Sequence, residues 1–308
     1  MLGVLLVWYS LSKISIPVLL GYFKNANYLW IGLGVFFGLL SHLSRAYRWK
    51  FMIEPMGYQL RFPNSIMAVF TTYLVNYTIP RAGEVSRATI LTNYEGVPFE
   101  KGFGTIIAER VADLIVMLCI ISLSLVLEFD IIYDYFVTTI DPTKLIILVS
   151  VGILTIALGY QVFKKSKHAF VLKIKTLLSG LLEGISSILK MKKKWTFLAH
   201  TLFIWVMYVL MFFVTSFSLA ETSQLPFSAI LIGFIFASFS IAATNGGIGS
   251  YPLAIFAAFS IFNIPEDPSI AFGWIMWTSQ TVMIILLGGL SLLFLPIYNR
   301  LYPKQTSK

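Results

Sequence analysis

Long stretches of apolar residues recur along this 308-residue chain. Five of them reach the length of about 20 residues that a helix needs to cross a bilayer core of about 30 Å: 28–49, 103–127, 144–163, 195–219 and 270–295. Charged residues make up 12% of the chain, about half the share of about 25% found in soluble domains. The sequence therefore predicts an all-α polytopic membrane protein with about six to eight hydrophobic segments.

The N-terminal apolar run is shorter than a span. Residues 2–9 cannot cross a bilayer, and an extension to residue 23 would bring Lys13 into the membrane. We therefore expect that the chain starts inside a longer first helix. The single cysteine, Cys119, lies within an apolar run, where we expect it to be a small buried hydrophobic residue.

Two further apolar stretches are interrupted by polar residues and glycine. The first is residues 65–79, which Pro80-Arg81-Ala82-Gly83-Glu84 separates from a short segment at 85–94. The second is residues 228–243, which a stretch with Thr244-Asn245-Gly246-Gly247-Ile248-Gly249 separates from a short segment at 253–262. Broken backbone at membrane depth is tolerated only inside protein or beside a water-filled cavity. We therefore predict two broken, re-entrant helix hairpins.

Basic residues concentrate in three connections: residues 45–61, the lysine-rich stretch 164–194 and the tail 300–308. The remaining connections are acidic or neutral. The positive-inside rule places the basic connections in the cytoplasm, so the net charge of +9 indicates a topology rather than nucleic-acid binding. Apolar residues alternate with the lysines at about 166–194, which indicates an amphipathic helix, either on the inner leaflet or packed on the helix bundle.

The two halves of the chain share landmarks at a nearly constant offset of 165–167 residues, among them the pairs Gly83 and Gly249, Pro98 and Pro265, and Asp113 and Gln280. We predict a single domain, residues 1–308, with repeat one at about 28–127 and repeat two at about 195–296. The span 144–163 between them inverts the second copy. Inverted repeats with broken helices are typical of transporters whose substrate site lies near the bilayer midplane.

Ionisable residues inside a predicted span are candidates for function, because such residues are rare there and usually face a cavity or a partner. Their nearest expected partners lie in the first break. The set comprises Glu109, Arg110 and Asp113 in the span, and Arg81, Glu84 and Arg87 in the break. Two interpretations remain open. One is a structural ion-pair network that holds the hairpin, and the other is a site for an anionic headgroup, since arginine binds phosphate through two parallel hydrogen bonds.

The second break and one helical stripe supply the other candidates. Glycines allow a ligand close to the backbone, and a helix N-terminus favours anions, although a tight hairpin that only permits close packing would need the same glycines. These candidates are Asn245, Gly246, Gly247 and Gly249, with Gln280 as the counterpart of Asp113. His42, Arg45 and Arg48 share one stripe, which either faces a cytoplasmic vestibule or snorkels at the membrane edge.

Four motifs resemble the lysylphosphatidylglycerol synthase transmembrane region family, also called the flippase-like domain family. They are Ser41-His42-Leu43-Ser44-Arg45-Ala46-Tyr47-Arg48-Trp49, Ile79-Pro80-Arg81-Ala82-Gly83-Glu84-Val85-Ser86-Arg87, Gly104-Thr105-Ile106-Ile107-Ala108-Glu109-Arg110-Val111-Ala112-Asp113 and Asn245-Gly246-Gly247-Ile248-Gly249. The resemblance covers nearly the whole chain. It implies a domain similar to the flippase half of the multiple peptide resistance factor, which moves aminoacylated phospholipids between leaflets. We expect a stand-alone member without the synthase domain, so synthase activity is not implied.

The leading hypothesis is a lipid flippase or transporter for a phospholipid or polyprenyl-phosphate lipid. In it Arg81 and Arg87 engage the phosphate, while Glu109 and Asp113 balance those charges or relay protons. One alternative is a membrane partner subunit of a lipid-modifying system. Another is an integral membrane enzyme acting on lipid headgroups, with Glu109, Asp113 and His42 as acid or base, but no nucleophile–base pair, metal cluster or nucleotide motif supports it.

We expect no catalytic residue, cofactor, metal or nucleic-acid partner. The expected partners are membrane lipids with an anionic or aminoacylated phospholipid or polyprenyl-phosphate headgroup. A soluble transferase and a second copy of the chain remain open as protein partners. The expected location is a bacterial plasma (inner) membrane, with the C-terminus in the cytoplasm.

Overall fold

The computed structural model describes residues 2–79, 81–129 and 191–304, together with residues 147, 150, 151 and 154. Every regular element in these ranges is a helix: α1 (Leu2–Ser12), α2 (Ile16–Asn25), α3 (Tyr28–Ile53), α4 (Phe62–Thr78), α5 (Ala82–Glu95), α6 (Phe99–Leu127), α7 (Lys194–Ser216), α8 (Phe227–Ala243), α9 (Ser250–Ser260) and α10 (Glu266–Leu301). This confirms the predicted all-α polytopic fold.

Within the described ranges, four helices are long and apolar enough to cross a membrane: α3 with the 3-10 turn after it, α6, α7 and α10. The pair α1–α2, bent by 86°, would be a fifth span. Four of the five predicted spans therefore coincide with helices of sufficient length. The predicted span at 144–163 and most of the amphipathic segment at 166–194 lie outside the described residues.

Cys119 does not pack inside the described part of the protein. It lies on the exposed surface of α6. Apolar side chains beside it on this helix, such as Leu118, are about half exposed. The prediction that Cys119 is buried is therefore wrong. An apolar sequence at membrane depth is equally suited to contact with lipid, so it does not show that a side chain is buried by protein.

Each broken element is a hairpin that begins and ends at the same end of the helix bundle. Arg61, just before α4, pairs with Glu95, the last residue of α5, with 3.0 Å between Nε and Oε1. Tyr22 lies near both Glu221, which precedes α8, and Asp267, which follows α9. The first helix of each hairpin has 17 residues, or about 25 Å, which is less than the bilayer core of about 30 Å.

The two hairpins enter from opposite ends of the bundle. Glu54, which follows α3, pairs with Lys193, which precedes α7, and Lys304 after α10 pairs with Glu95 after α5. These contacts define one end, and the contacts of Tyr22 define the other. Basic connections therefore share an end, as the charge pattern predicts; the assignment of that end to the cytoplasm stays a prediction.

The helices of the two halves pack reciprocally. Helix α3 packs on its counterpart α7, α4 packs on α10, and α8 packs on α6. Backbone landmarks correspond as well: Gly96 and Asn263, each just before the second long helix of its half, have left-handed φ values of 64° and 57°. This correspondence has the form of the inverted repeat inferred from the constant sequence offset.

The contact between α4 and α10 depends on a glycine. A Cβ atom on Gly288 would lie 2.7 Å from Leu74 Cβ and 2.9 Å from the Phe70 carbonyl oxygen, whereas a Cβ on Gly289 would meet nothing within 4 Å. The adjacent glycines therefore differ only in whether the other half of the protein lies against them.

We expect Gly288→Ala to destabilise the protein, because the added methyl group pushes α4 and α10 apart at a cost of about 1–3 kcal/mol. Gly289→Ala is the matched control and should be neutral or slightly stabilising, since alanine has the higher helix propensity. Thermal unfolding in detergent measures both variants. Equal midpoints would contradict the close packing of the two halves at this position.

Candidate functional site

Five charged side chains from three helices meet inside the bundle. We call them the arginine–carboxylate cluster: Arg45 and Arg48 from α3, Arg87 from α5, and Glu109 and Asp113 from α6. None of these residues is more than 7% exposed. At 1.5 Å per residue the four cluster residues of α3 and α6 lie about 8–21 Å from the end of the bundle where α3 ends and α6 begins. These are therefore charges at membrane depth.

The two carboxylates share the three arginines. Arg45 Nη1 lies 2.5 Å from Glu109 Oε1 and 2.6 Å from Asp113 Oδ2. Arg48 Nη2 lies 3.1 Å from Glu109 Oε1 and 3.2 Å from Asp113 Oδ1. Arg87 Nη2 lies 3.2 Å from Glu109 Oε2. Helix geometry explains the convergence, because residues three or four positions apart lie on one helix face, as the two arginines of α3 and the two acids of α6 do.

Aromatic rings and hydroxyl groups surround the arginines. The Arg87 guanidinium lies 3.9 Å from the centroid of the Trp49 ring, and the Arg48 guanidinium lies 5.0 Å from that of Phe197. Arg48 Nη1 also donates a hydrogen bond of 2.6 Å to Thr201 Oγ1 on α7. Cation–π contacts stabilise a desolvated cation without neutralising it, so these groups leave the charge balance of the cluster unchanged.

The cluster carries an excess of positive charge and of hydrogen-bond donors. Three guanidinium groups face two carboxylates. The Nε atoms of Arg45, Arg48 and Arg87 are buried without a hydrogen-bond partner among the described residues. A buried donor without a partner costs about 1–3 kcal/mol, and more when it is charged. The arrangement therefore favours binding of an anion that accepts several hydrogen bonds.

The position of Arg45 and Arg48 corrects one interpretation of the sequence. Their side chains are 3% and 0% exposed, so neither snorkels at a membrane edge nor faces an open vestibule. Helical periodicity shows that the two residues share a face. It does not show whether that face points to lipid, to water or to buried carboxylates.

The first break contributes less than its sequence indicates. Arg87 joins the cluster, but Arg81 is exposed at the tip of the hairpin, with a left-handed φ of 60°. Glu84 and Arg110 form a separate, partly exposed pair, with 2.9 Å between Oε1 and Nη2. The predicted ion-pair network between hairpin and span therefore exists, but Arg81 takes no part in it among the described residues.

The second break is covered by other parts of the chain. Gly249 has a left-handed φ of 71°, and a side chain there would strike the backbone of Leu6 and Val7 in α1. Gly246 packs against the Tyr77 ring near the tip of the first hairpin, and its carbonyl oxygen accepts a hydrogen bond of 2.8 Å from Trp277 Nε1. The two hairpin tips thus meet, and α1 covers the start of α9.

The remaining candidates are not members of the cluster. Gly247 is buried and Asn245 is half-buried in the second break. Gln280 on α10 packs its amide oxygen against Gly38 of α3. His42 lies on the same face of α3, one turn further along, with 5% of its surface exposed.

Sequence reasoning missed Thr201 and the rings that contact the arginines. Trp49 is fully buried, and its Nε1 donates a hydrogen bond of 2.8 Å to Thr105 Oγ1. Its place in the same sequence motif as Arg45 and Arg48 was the available signal. Among the described residues, no group of three or more His, Cys, Asp and Glu side chains is arranged to hold a metal ion.

Comparison with known proteins agrees with the membrane fold. A family model described as "Lysylphosphatidylglycerol synthase TM region" matches residues 1–289. The chain is similar to a UPF0104 membrane protein from Methanocaldococcus jannaschii, with 31% identity over 97 residues, or 30% of this chain and 29% of the relative. It is also similar to a UPF0104 membrane protein from Methanothermobacter thermautotrophicus, with 30% identity over 129 residues, or 41% of this chain and 36% of the relative.

The matched segments span about a third of the length of each of these relatives. No solved structure matches the chain.

We expect Asp113→Asn to destabilise the protein by about 3–5 kcal/mol, because it leaves buried arginines without a counter-charge. Glu54→Gln is the matched control. It removes a carboxylate from partly exposed pairs with Lys50 and Lys193 at the end of the bundle, for which a loss of about 0–1 kcal/mol is expected. Thermal unfolding in detergent distinguishes them. Similar losses in both variants would contradict the central role of the buried cluster in stability.

Proposed function

We propose that this chain, which belongs to the lysylphosphatidylglycerol synthase TM region family, moves a membrane lipid with an anionic headgroup between leaflets. The lipid is a phospholipid or a polyprenyl-phosphate lipid. The phosphate group is the part that these lipids share, and it is the group that the arginines are suited to bind.

The observation that carries this proposal is the excess of buried arginine in the arginine–carboxylate cluster. Electrostatic attraction is stronger at low dielectric constant than in water, so an uncompensated guanidinium inside the bundle attracts an anion strongly. Phosphate oxygens accept the paired hydrogen bonds that a planar guanidinium donates. A phosphate headgroup would therefore supply both the missing charge and acceptors for the unpaired Nε atoms.

The carboxylates make binding reversible. Glu109 and Asp113 already occupy much of the donor capacity of Arg45 and Arg48. An entering phosphate competes with them, and on release the carboxylates take the arginines back. Without Glu109 and Asp113 the three arginines would hold an anion too tightly to pass it on.

The hairpins provide a means of movement. Arg87 belongs to a hairpin that ends inside the bundle, and its charge is linked to α6 through Glu109. The second hairpin enters from the other end, and its tip meets the first at Gly246 and Tyr77. Two such elements suit a protein that opens to each leaflet in turn, as in transporters built from inverted repeats.

A leaflet-access assay tests the proposal. Purified protein is reconstituted with fluorescent phosphatidylglycerol, phosphatidylcholine or an aminoacylated phospholipid, and loss of fluorescence to an external quencher reports lipid movement. We expect movement of a lipid with a phosphate headgroup. Arg87→Gln should reduce its rate by about tenfold or more, the effect of losing about 1.4 kcal/mol or more of interaction. Arg87→Lys should retain part of it, since the charge remains without the planar donor geometry.

Arg300→Gln is the control, because it makes the same change in net charge at an exposed position in the last turn of α10. Its transport rate should equal that of the parent. Unchanged transport in folded Arg87→Gln protein, or no movement of any lipid by the parent, would contradict the proposal. A lipid recovered with a changed mass would instead indicate an enzyme.

A second candidate function rests on the family description, which names the membrane region of a synthase. In it the chain is the membrane partner of a soluble lipid-modifying transferase. Co-purification of such a transferase, together with absence of transport by the chain alone, would favour this role.

A further inference from the structure

A second polar region lies between the two halves of the protein, beyond the arginine–carboxylate cluster. The His42 ring on α3 lies 4.5 Å from the Tyr73 ring on α4 and 6.0 Å from the Tyr208 ring on α7, measured between centroids. The Tyr73 and Tyr208 hydroxyl oxygens are 3.4 Å apart. Ser41, next to His42 on α3, lies near Tyr208. An imidazole and two phenols thus meet where α3, α4 and α7 pack together.

Two polar atoms in this region are buried without hydrogen-bond partners among the described residues. They are His42 Nδ1 and Gln280 Nε2. Buried polar atoms in proteins nearly always have a partner, and those that do not call for an explanation such as a bound water or ligand. The Gln280 amide packs against Gly38, which lies one turn before His42 on α3. Two such atoms on one side of α3 indicate a place where a polar ligand is accommodated.

The region is continuous with the cluster at one side. Arg45 follows His42 by three residues on the same helix face, and it interacts electrostatically with Tyr73 and Tyr208. A group released by Arg45 therefore meets the phenols and the imidazole next.

At the other side the region reaches the second break. Thr281, next to Gln280, donates a hydrogen bond of 3.2 Å to the Tyr77 hydroxyl, and Tyr77 packs against Gly246. Polar groups thus extend from the cluster to the point where the two hairpin tips meet. The name polar row is used for five of these residues: Ser41, His42, Tyr73, Tyr208 and Gln280.

We propose that an anionic phosphate headgroup passes along the polar row between the arginine–carboxylate cluster and the second break. The structure shows this route closed, and the side chains that close it are His42, Tyr73 and Tyr208. This inference rests on the proposed function and adds to it the path and the residues that block it. Neutral imidazole, phenol and amide groups suit a path, because they donate hydrogen bonds to phosphate without the ionic attraction and the paired donors of arginine, so the headgroup is not retained there.

A thiol-accessibility experiment tests the route. Cys119 is the only cysteine, so Cys119→Ser gives a cysteine-free parent. Ser41→Cys and Ser269→Cys are then matched probes. Each serine is 0% exposed, and each hydroxyl donates a hydrogen bond of 2.7 Å to a carbonyl of its own helix segment. Only Ser41 belongs to the polar row. Ser269 lies in the first turn of α10, about 12 Å along the helix from Trp277.

The probe is 2-sulfonatoethyl methanethiosulfonate, a membrane-impermeant anion, added to protein in vesicles of phosphatidylcholine with or without phosphatidylglycerol. We expect Ser41→Cys to react about tenfold faster than Ser269→Cys or more, because a route that opens in a minor state of about 0.1–10% still exposes its thiol repeatedly. The lipid that the parent transports should slow this reaction by occupying the route. The rate for Ser269→Cys should not depend on the lipid.

The outcomes separate the route from the function on which it rests. Equal, slow labelling of both thiols while the parent transports lipid would overturn the route and leave the proposed function standing. Fast labelling of Ser41→Cys that no transported lipid slows would also overturn it. Absence of transport by the parent would refute the proposed function, and the headgroup route with it.

Discussion

Glu109 accepts a hydrogen bond from Arg45 and lies within 3.2 Å of Arg48 and Arg87, so one carboxylate links helices α3, α5 and α6. In water such contacts would contribute little. Inside a bundle surrounded by lipid, each of these charges is costly unless its partners are in place. The positions of the three helices therefore depend on one another, and the first hairpin cannot leave α6 without breaking an ion pair at low dielectric constant.

The same cluster links architecture to the proposed activity. An ion-pair network that only held the hairpin would reach its best energy with charges in balance and every donor satisfied. Here three guanidinium groups meet two carboxylates, and three Nε atoms lack partners among the described residues. The network interpretation and the anion-site interpretation of the sequence are thus compatible. The described contacts hold the hairpin, and the excess charge leaves capacity for a phosphate group.

The arrangement of the halves decides where such a group could go. Because α3 packs on α7 and α4 on α10, the surfaces that meet between the halves are those that carry His42, Tyr73, Tyr208 and Gln280. The hairpins enter from opposite ends, so their tips meet inside the bundle rather than at either surface. Polar groups that are far apart in sequence thereby form one row.

Several features followed from the sequence alone, for physical reasons. Apolar length determined the spans, since a helix must satisfy its own backbone while crossing lipid. The broken stretches and their constant offset indicated two hairpins in an inverted repeat. Glu109 and Asp113 needed cationic partners at membrane depth, and Arg87 was among those named. Each of these inferences depends on residues close together in sequence, or on a cost that any membrane imposes.

Only the tertiary structure decided which cations those acids meet. Arg45 and Arg48 lie more than 60 residues before them, and helical periodicity places the two arginines on one face without giving its neighbour. Arg81 was expected in the cluster, yet the turn of the hairpin points it outward. Contacts such as Gly246 with Tyr77, or His42 with Tyr208, join opposite halves of the chain. They arise from packing between helices, a property of three-dimensional shape that sequence patterns along single helices do not contain.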